Sequence, residues 1–223
     1  MKKIAIIVAG GSGVRMNSPL PKQFMLLKNR PILMHSLEKF YLYDSKIELR
    51  LAIPSSEFGL WEGLCKKYHF SIKHLLFEGG KQRFDSVKNS LKDIVSPSLV
   101  AIHDGVRPLV SLKTIANCFD LAEKKGTAIP VMRLTESIRK VNAKGSVSEE
   151  RTLFRSVQTP QVFQSEILLE AYNSLYKESF TDDASVVENY GKEIFLAEGN
   201  EENIKITSPN DLLIAEVLFG LQL

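Results

Sequence analysis

Cysteine is scarce in this chain. Only Cys65 and Cys118 occur among 223 residues, far apart and without the close Cys or His pairing that a structural zinc site needs. Two scattered thiols are usual for a reducing cytosol. A chain of this length buries enough apolar surface to need no disulfide or metal staple. Charge of one sign is equally scarce: 29 basic residues face 26 acidic ones, a formal net charge of +3. That argues against a dedicated nucleic-acid binder, which concentrates basic residues in a patch, and leaves room for local cations around a phosphate. Long apolar runs are also missing. Lys2 and Lys3 precede IAIIVA, which superficially resembles a signal peptide, but the run is short and ends in GGSG. A signal core is longer and a membrane span much longer. Residues 3–9 therefore read as a buried strand of a cytoplasmic protein with no membrane partner. There is no internal repeat, low-complexity tract or linker, so 1–223 reads as one domain.

What is present is alternation. Apolar runs at 4–9, 49–54, 72–77, 98–103 and 126–132 are bounded by Gly, Pro or polar clusters, as strands buried on both faces are. Helix-length stretches at 31–43, 55–68, 82–94 and 111–125 lie between them. This order predicts an α/β fold, a mostly parallel sheet with helices on both faces. The pattern breaks at 135–150, TESIRKVNAKGSVSEE, a polar hairpin turning at NAKG. It cannot bury much of its own surface, so it is expected to project as an arm, to about residue 156, and to pack on a second subunit. The chain then returns with a strand near 157–163, helices near 165–176 and 182–190, a strand at 193–198 and a last helix at 208–220. Pro209 fits the first turn of that helix.

The most informative motif is AIIVAGGSGVRM (5–16) followed by PKQF (21–24). A buried strand runs into Gly10, Gly11 and Gly13, whose freedom at positive φ lets successive N–H groups form an anion nest. At the carboxyl end of a strand in an open sheet, such a loop sits where ligands bind. Arg15 and Lys22 add two cations for the same phosphates. A dinucleotide fingerprint would need a third glycine where Met16 stands, and a Walker loop would need Gly-Lys followed by Ser or Thr. A tight turn without ligand is the bland alternative.

Further segments follow. In EGGKQRFDSV (78–87), Gly79 and Gly80 precede a helix and can offer backbone to a base edge. Arg83 and Ser86 face the cleft if the helix starts near Lys81; otherwise Arg83 is merely solvated. In AIHDGVRP (101–108), Asp104 at a strand's end can accept from ribose hydroxyls or support Mg²⁺, while His103 reads as a satisfied structural histidine. In RTLFRSVQTPQVF (151–163), Arg151 and Arg155 share a face if the stretch is helical. In FTDDASVVE (180–188), Thr181 or Asp182 reads as a helix cap. In NIKITSPNDL (203–212), Lys205 is aimed at something negative or lies on an edge strand.

Together these segments, in this order and over nearly the whole chain, resemble the 2-C-methyl-D-erythritol 4-phosphate cytidylyltransferases of isoprenoid-precursor synthesis. The first motif alone is shared by the wider sugar-nucleotidyltransferase superfamily; HDGVRP, QTPQVF, TDDASVVE and NIKIT are more specific. The resemblance implies a Rossmann-like sheet with a β-arm reaching into the partner of a homodimer, and transfer of CMP from CTP to methylerythritol phosphate with Mg²⁺. It implies that Gly10, Gly11 and Gly13 wrap the triphosphate, with Ala9 close to the cytosine, and that Arg15 and Lys22 stabilise phosphate charge. Gly80, Lys81 and Ser86 would border cytosine with Arg83 nearby, and Asp104 and Gly105 would lie at the ribose and metal side. Arg107, Thr159 and Thr181, together with Asp104, would contact the acceptor, a small phosphorylated polyol. Arg151 and Lys205 would position the acceptor phosphate and the α-phosphate. One stretch departs from the family pattern: where PV-x-DTIK is usual, this chain has PVMRLTESIRK. Either Ser137 takes the arm threonine's place, with two residues inserted upstream, or Thr135 serves with a shifted register.

Such a reaction asks for few acid–base groups. A phosphate nucleophile is already ionised near neutral pH, so the enzyme's task is positioning and neutralising two anions. Rival readings are a ribitol 5-phosphate cytidylyltransferase, a non-catalytic nucleotide sensor and a dehydrogenase. The full set Arg15, Lys22, Arg151 and Lys205 disfavours the sensor, and the missing glycine disfavours the dehydrogenase.

Overall fold

Residues 4–8 of the run IAIIVA lie in β1 (Lys2–Val8), which sits inside the sheet between β6 and β4. The computed structural model describes residues 1–11 and 20–221. After the first loop come a small hairpin, β2 (Leu26–Leu27) and β3 (Arg30–Pro31), and then α1 (Ile32–Tyr43), β4 (Glu48–Ile53), α2 (Phe58–Lys67), β5 (Leu75–Glu78), α3 (Arg83–Ser90), β6 (Ser98–Asp104) and α4 (Leu112–Lys125). The second half runs β7 (Thr127–Arg133), β8 (Ile138–Asn142), β9 (Gly145–Glu149), β10 (Arg155–Val157), β11 (Gln161–Gln164), α5 (Ser165–Tyr172), α6 (Asp183–Asn189), β12 (Leu196–Glu198) and α7 (Pro209–Leu221).

The sheet order is β10-β7-β11-β6-β1-β4-β5, with β12 also paired to β7. β1 runs parallel to β4 and β6, and β4 parallel to β5. Side chains of β1 alternate between two cores. Ala5 and Ile7 pack with Leu33, Phe40, Trp61 and Phe119 from α1, α2 and α4. Ile4, Ile6 and Val8 pack with Phe84, Val87, Leu168 and Val186 from α3, α5 and α6. Helices on both faces explain why these strands read as unbroken apolar runs. Helix ends follow local chemistry: the Ser111 hydroxyl accepts the Thr114 N–H at 3.0 Å to open α4, and Gly126 closes it at φ 92°.

Four details differ from the sequence reading. The strand expected at 157–163 is two strands, β10 and β11, both antiparallel to β7 and separated by the turn containing the cis Thr159–Pro160 bond. Arg151 and Arg155 share no helical face, because a 3-10 turn over Arg151–Leu153 gives way to β10. β5 starts at Leu75 and not at residue 72: Ile72 packs into the core, and His74 Nε2 accepts the Trp61 indole N–H at 2.8 Å. The helix expected at 55–68 opens with a 3-10 turn before α2. The hairpin read at 135–150 is present. Among the described residues β8 and β9 pair only with each other, and Val141 and Val147 stand 77% and 52% exposed.

Candidate active site

Three backbone hydrogen bonds carry the ladder one residue past the strands. Ala9 N–H donates to Ala52 O at 2.9 Å, Gly79 N–H to Ile53 O at 2.8 Å and Gly105 N–H to Val8 O at 2.8 Å. Beyond them the chain peels away and leaves a crevice at the carboxyl ends of β1, β5 and β6, where open α/β sheets bind ligands. Its first chamber, about 400 Å³, is floored by Ala9, Gly10 and Gly11 and walled by Lys22. The Lys22 stem crosses the face of Gly11, with Nζ 3.7 Å from where a Gly11 Cβ would stand. Gly13 and Arg15 of the same loop lie outside the described residues.

The opposite wall is Gly80, Lys81, Arg83 and Ser86. α3 starts at Arg83, so both Arg83 and Ser86 line the chamber. The Ser86 hydroxyl accepts the Gly80 N–H at 3.0 Å and donates to Gln82 O at 3.2 Å, fixing the glycine loop against the helix. No larger residue fits at Gly80: an added Cβ would stand 2.2 Å from Asp85 Cβ. Gly105, expected at the ribose and metal side, lines neither chamber. Its missing Cβ makes room for Leu33 and Ala9, which would be 2.8 and 2.9 Å away, so this glycine serves the core.

Asp104, at the end of β6, is the electrostatic centre. Its side chain is 9% exposed, and three cations face it: Lys205 Nζ at 3.0 Å, Arg107 Nε at 3.1 Å and Arg83 Nε at 3.5 Å. Burial alone would raise its carboxyl; the charges of Arg83, Lys205 and Arg107 overcome this and hold it well below the usual carboxylate range. Lys205 is thus aimed at something negative and lies in no strand.

Arg83, Asp104 and Lys205 also line a second chamber of about 290 Å³, with Arg107, Thr159 and Thr181. Ala9, Gly10, Gly11, Gly80, Lys81 and Ser86 thus line the first chamber, Arg107, Thr159 and Thr181 the second, and Arg83, Asp104 and Lys205 both. Within the second, Arg107 also donates to Asn203 O at 2.8 Å. The Thr159 hydroxyl accepts the Asp104 N–H at 3.1 Å and meets His103 Nδ1 at 3.0 Å. His103 Nε2 faces Arg107 O at 3.0 Å. A carbonyl only accepts, so Nε2 carries the proton, Nδ1 accepts, and Thr159 donates. Its hydroxyl proton is committed to His103, so Thr159 braces the chamber wall. Burial pushes the His103 imidazole down to about 4, which fits the structural histidine expected from the sequence.

Three expected residues are not brought here. Arg151, Thr135 and Ser137 are exposed and line neither chamber; Arg151 instead donates to Thr135 O. The arm leaves the sheet between β7 and the terminal strand β10, with β11 standing between β7 and β6. Sequence reasoning in turn missed Gln161 and Asn203. Gln161 accepts the Ala184 N–H at 2.8 Å and donates to Asp182 Oδ2 at 2.8 Å, tying β11 to the start of α6. Asn203 donates to Thr159 O at 2.8 Å. Buried amides inside a motif were the available signal. Asp182 caps α6, accepting the Ser185 N–H at 2.9 Å.

A resident metal cage is not built: among the described residues no group of three or more His, Cys, Asp or Glu could hold an ion. Among the described residues Asp104 is the only carboxylate on the first chamber's wall, and three cations already share it. Such a donor set suits Mg²⁺ carried on substrate phosphates, with at most one protein carboxylate. Among the described residues no helix is long and apolar enough to cross a membrane.

Comparison with known proteins agrees with this layout. The family model for IspD, 2-C-methyl-D-erythritol 4-phosphate cytidylyltransferase, matches residues 3–220. A Bacteroides thetaiotaomicron protein of that name is 49% identical over 218 residues, covering 98% of this chain and 100% of the relative. The enzyme of the same name from Francisella tularensis superposes with a TM-score of 0.81 at 29% identity, covering 100% of both chains. The Thermus thermophilus structure of that name gives 0.79 at 29% identity over 98% of each chain. On its motifs, its two-chambered crevice and these full-length matches, the chain belongs to the 2-C-methyl-D-erythritol 4-phosphate cytidylyltransferase family of nucleotidyltransferases.

Proposed function

We propose that this chain transfers CMP from CTP to 2-C-methyl-D-erythritol 4-phosphate and releases pyrophosphate. The observation that carries the reading is the pair of adjoining chambers, one glycine-floored and one arginine-lined, with Arg83, Asp104 and Lys205 in the wall between them. A phosphate oxygen of the acceptor attacks the α-phosphorus of CTP. The new O–P bond forms as the bond to the bridging α,β-oxygen breaks, and that electron pair leaves with pyrophosphate. No proton must move, so the chain's residues work by placement and charge. Gly10 and Gly11 hold the triphosphate; Lys22 and Arg15 neutralise charge developing at the phosphates; Lys205 sits where the two anions meet. Mg²⁺, when bound, shields the triphosphate oxygens and the departing pyrophosphate, and Asp104 is the residue that would meet it.

The arm completes the site in this reading. Arg151 and Thr135 or Ser137, remote from their own subunit's chambers, belong to the acceptor end of a partner's site in a homodimer. Supporting this, the arm has no core of its own and exposes Val141 and Val147. A cytoplasmic enzyme acting on two small phosphorylated substrates, with no nucleic-acid or membrane partner, fits the net charge of +3.

Pyrophosphate release from CTP, measured with methylerythritol phosphate and separately with ribitol 5-phosphate, tests the assignment. Turnover with the first and not the second is expected. Turnover with ribitol 5-phosphate alone would transfer the chain to the rival activity, and none with either would overturn catalysis.

A further inference from the structure

Asp183 opens α6, yet its side chain is fully buried. A buried carboxylate persists only with partners that replace its water. Here they are the Arg83 guanidinium, which donates through both terminal nitrogens at 2.8 and 2.7 Å, and the Tyr172 hydroxyl, which donates at 2.7 Å. Asp183 lines neither chamber; Arg83 lines both.

The bidentate fork takes one N–H from each terminal nitrogen of Arg83 and so sets the direction of the guanidinium. Nε is turned to Asp104, at 3.5 Å, while Lys205 takes the closer place at 3.0 Å. The same pair ties two elements 100 residues apart. α3 carries Ser86 on the nucleotide wall, and the turn before α6 carries Thr181 and Asp182 on the acceptor wall.

We infer that Asp183 is a positioning residue for this reaction. It clamps Arg83 in the wall between the chambers, which keeps Asp104 available to Lys205 and fixes the acceptor wall against the nucleotide wall. A two-point guanidinium–carboxylate contact fixes direction as well as distance. Replacing Asp183 by an isosteric amide removes the charge, and Asp104 becomes the nearest anion for the freed fork. Lys205 is then displaced at the acceptor end, while the glycine floor and the Gly80 N–H bond to the Ser86 hydroxyl, which involve neither Arg83 nor Asp183, keep their places.

The inference rests on the transfer reaction proposed above, so the wild type is assayed first, and the acceptor is whichever polyol phosphate it uses. A wild type inactive with both sinks the functional reading. Asp183→Asn and Tyr172→Phe are compared with it for KM of each substrate, kcat and melting temperature. Asp183→Asn is expected to raise the acceptor KM about tenfold or more, within the range of losses from small misplacements. The CTP KM should stay within about twofold. Tyr172→Phe, which loses only one hydrogen bond to Asp183, should shift the acceptor KM the same way by about two- to threefold. If Asp183→Asn does not fold, Tyr172→Phe decides. Equal loss for both substrates in proportion to lowered melting, or no acceptor-selective change in the folded variants, defeats the inference and leaves Asp183 a packing residue.

Discussion

Thr159 donates its hydroxyl proton to His103 Nδ1 across 3.0 Å, and this fixes an imidazole that must stay neutral. Protonated, Nδ1 would become a donor facing a hydroxyl that already accepts the Asp104 N–H. The native His103 pKa lies near 4, against about 6.5 in the unfolded chain. Between those values the unfolded chain takes a proton that the native protein refuses. Stability from this group is therefore complete above about pH 6.5 and falls as pH drops towards 4, by up to roughly 3 kcal/mol. Asp104, held low, begins to lose its contribution where unfolded carboxylates protonate, at about pH 4, and loses the rest as pH falls further. Urea midpoints at pH 7 and pH 5 are expected to differ more in the wild type than in His103→Asn. An equal pH slope in both would show that His103 is not the group being titrated.

Lys22 is expected to act on charge that develops during transfer. Lys22→Ala should lower kcat about 10²-fold or more, the scale of losing one electrostatic stabiliser. Melting temperature should be little changed, because the side chain borders a crevice and not the core. A kcat close to wild type would remove Lys22 from the mechanism.

Gly80 ties nucleotide recognition to a steric limit. Its N–H is held by Ser86, and an added Cβ would stand 2.2 Å from Asp85 Cβ. Gly80→Ala must move the loop or the first turn of α3, an overpacking cost of about 1–3 kcal/mol. A site that pairs a polar base edge rejects a mismatched one. The wild type should prefer CTP to UTP in kcat/KM, and Gly80→Ala should erode that preference. Equal kcat/KM for both nucleotides in the wild type would overturn the cytosine assignment.

The arm is tested by complementation. Arg151→Ala and Lys22→Ala homodimers should each be inactive. Mixing them should restore one site per heterodimer, since one site then receives Lys22 from its own chain and Arg151 from the partner. No recovery above the parents, or a monomeric mass at assay concentration, would return the arm to a solvated excursion.

The first chamber was legible in the sequence because it is local. Ala9, Gly10 and Gly11 follow one strand, and Gly80 to Ser86 span one strand-to-helix turn, so short motifs carry both chemistry and geometry. The alternation of apolar runs likewise gave away β1, β4 and β6, which are buried on both faces. What was not legible depends on distant pairs. Arg83 meets Asp183 across 100 residues, and no pattern near either names the other. The resemblance put Gly105 at the ribose and metal side, whereas the room left by its missing Cβ is taken by Leu33, Ala9 and Ile7. Thr159 lines the second chamber, and only the fold reveals that its hydroxyl also meets His103. The antiparallel strands β10 and β11 escaped because a three-residue turn divides one apolar-looking segment.

The crowding of Asp104 by Arg83, Arg107 and Lys205 has a kinetic side. The single carboxylate cancels part of the field of these three cations, and Lys22 and Lys81 on the same crevice leave its lining net positive. At physiological ionic strength the screening length is about 8 Å, so that surplus acts on an approaching phosphate mainly at short range, and lower salt would extend its reach. Asp104 thereby keeps mutually repelling side chains gathered and oriented, and forgoes part of their pull in return.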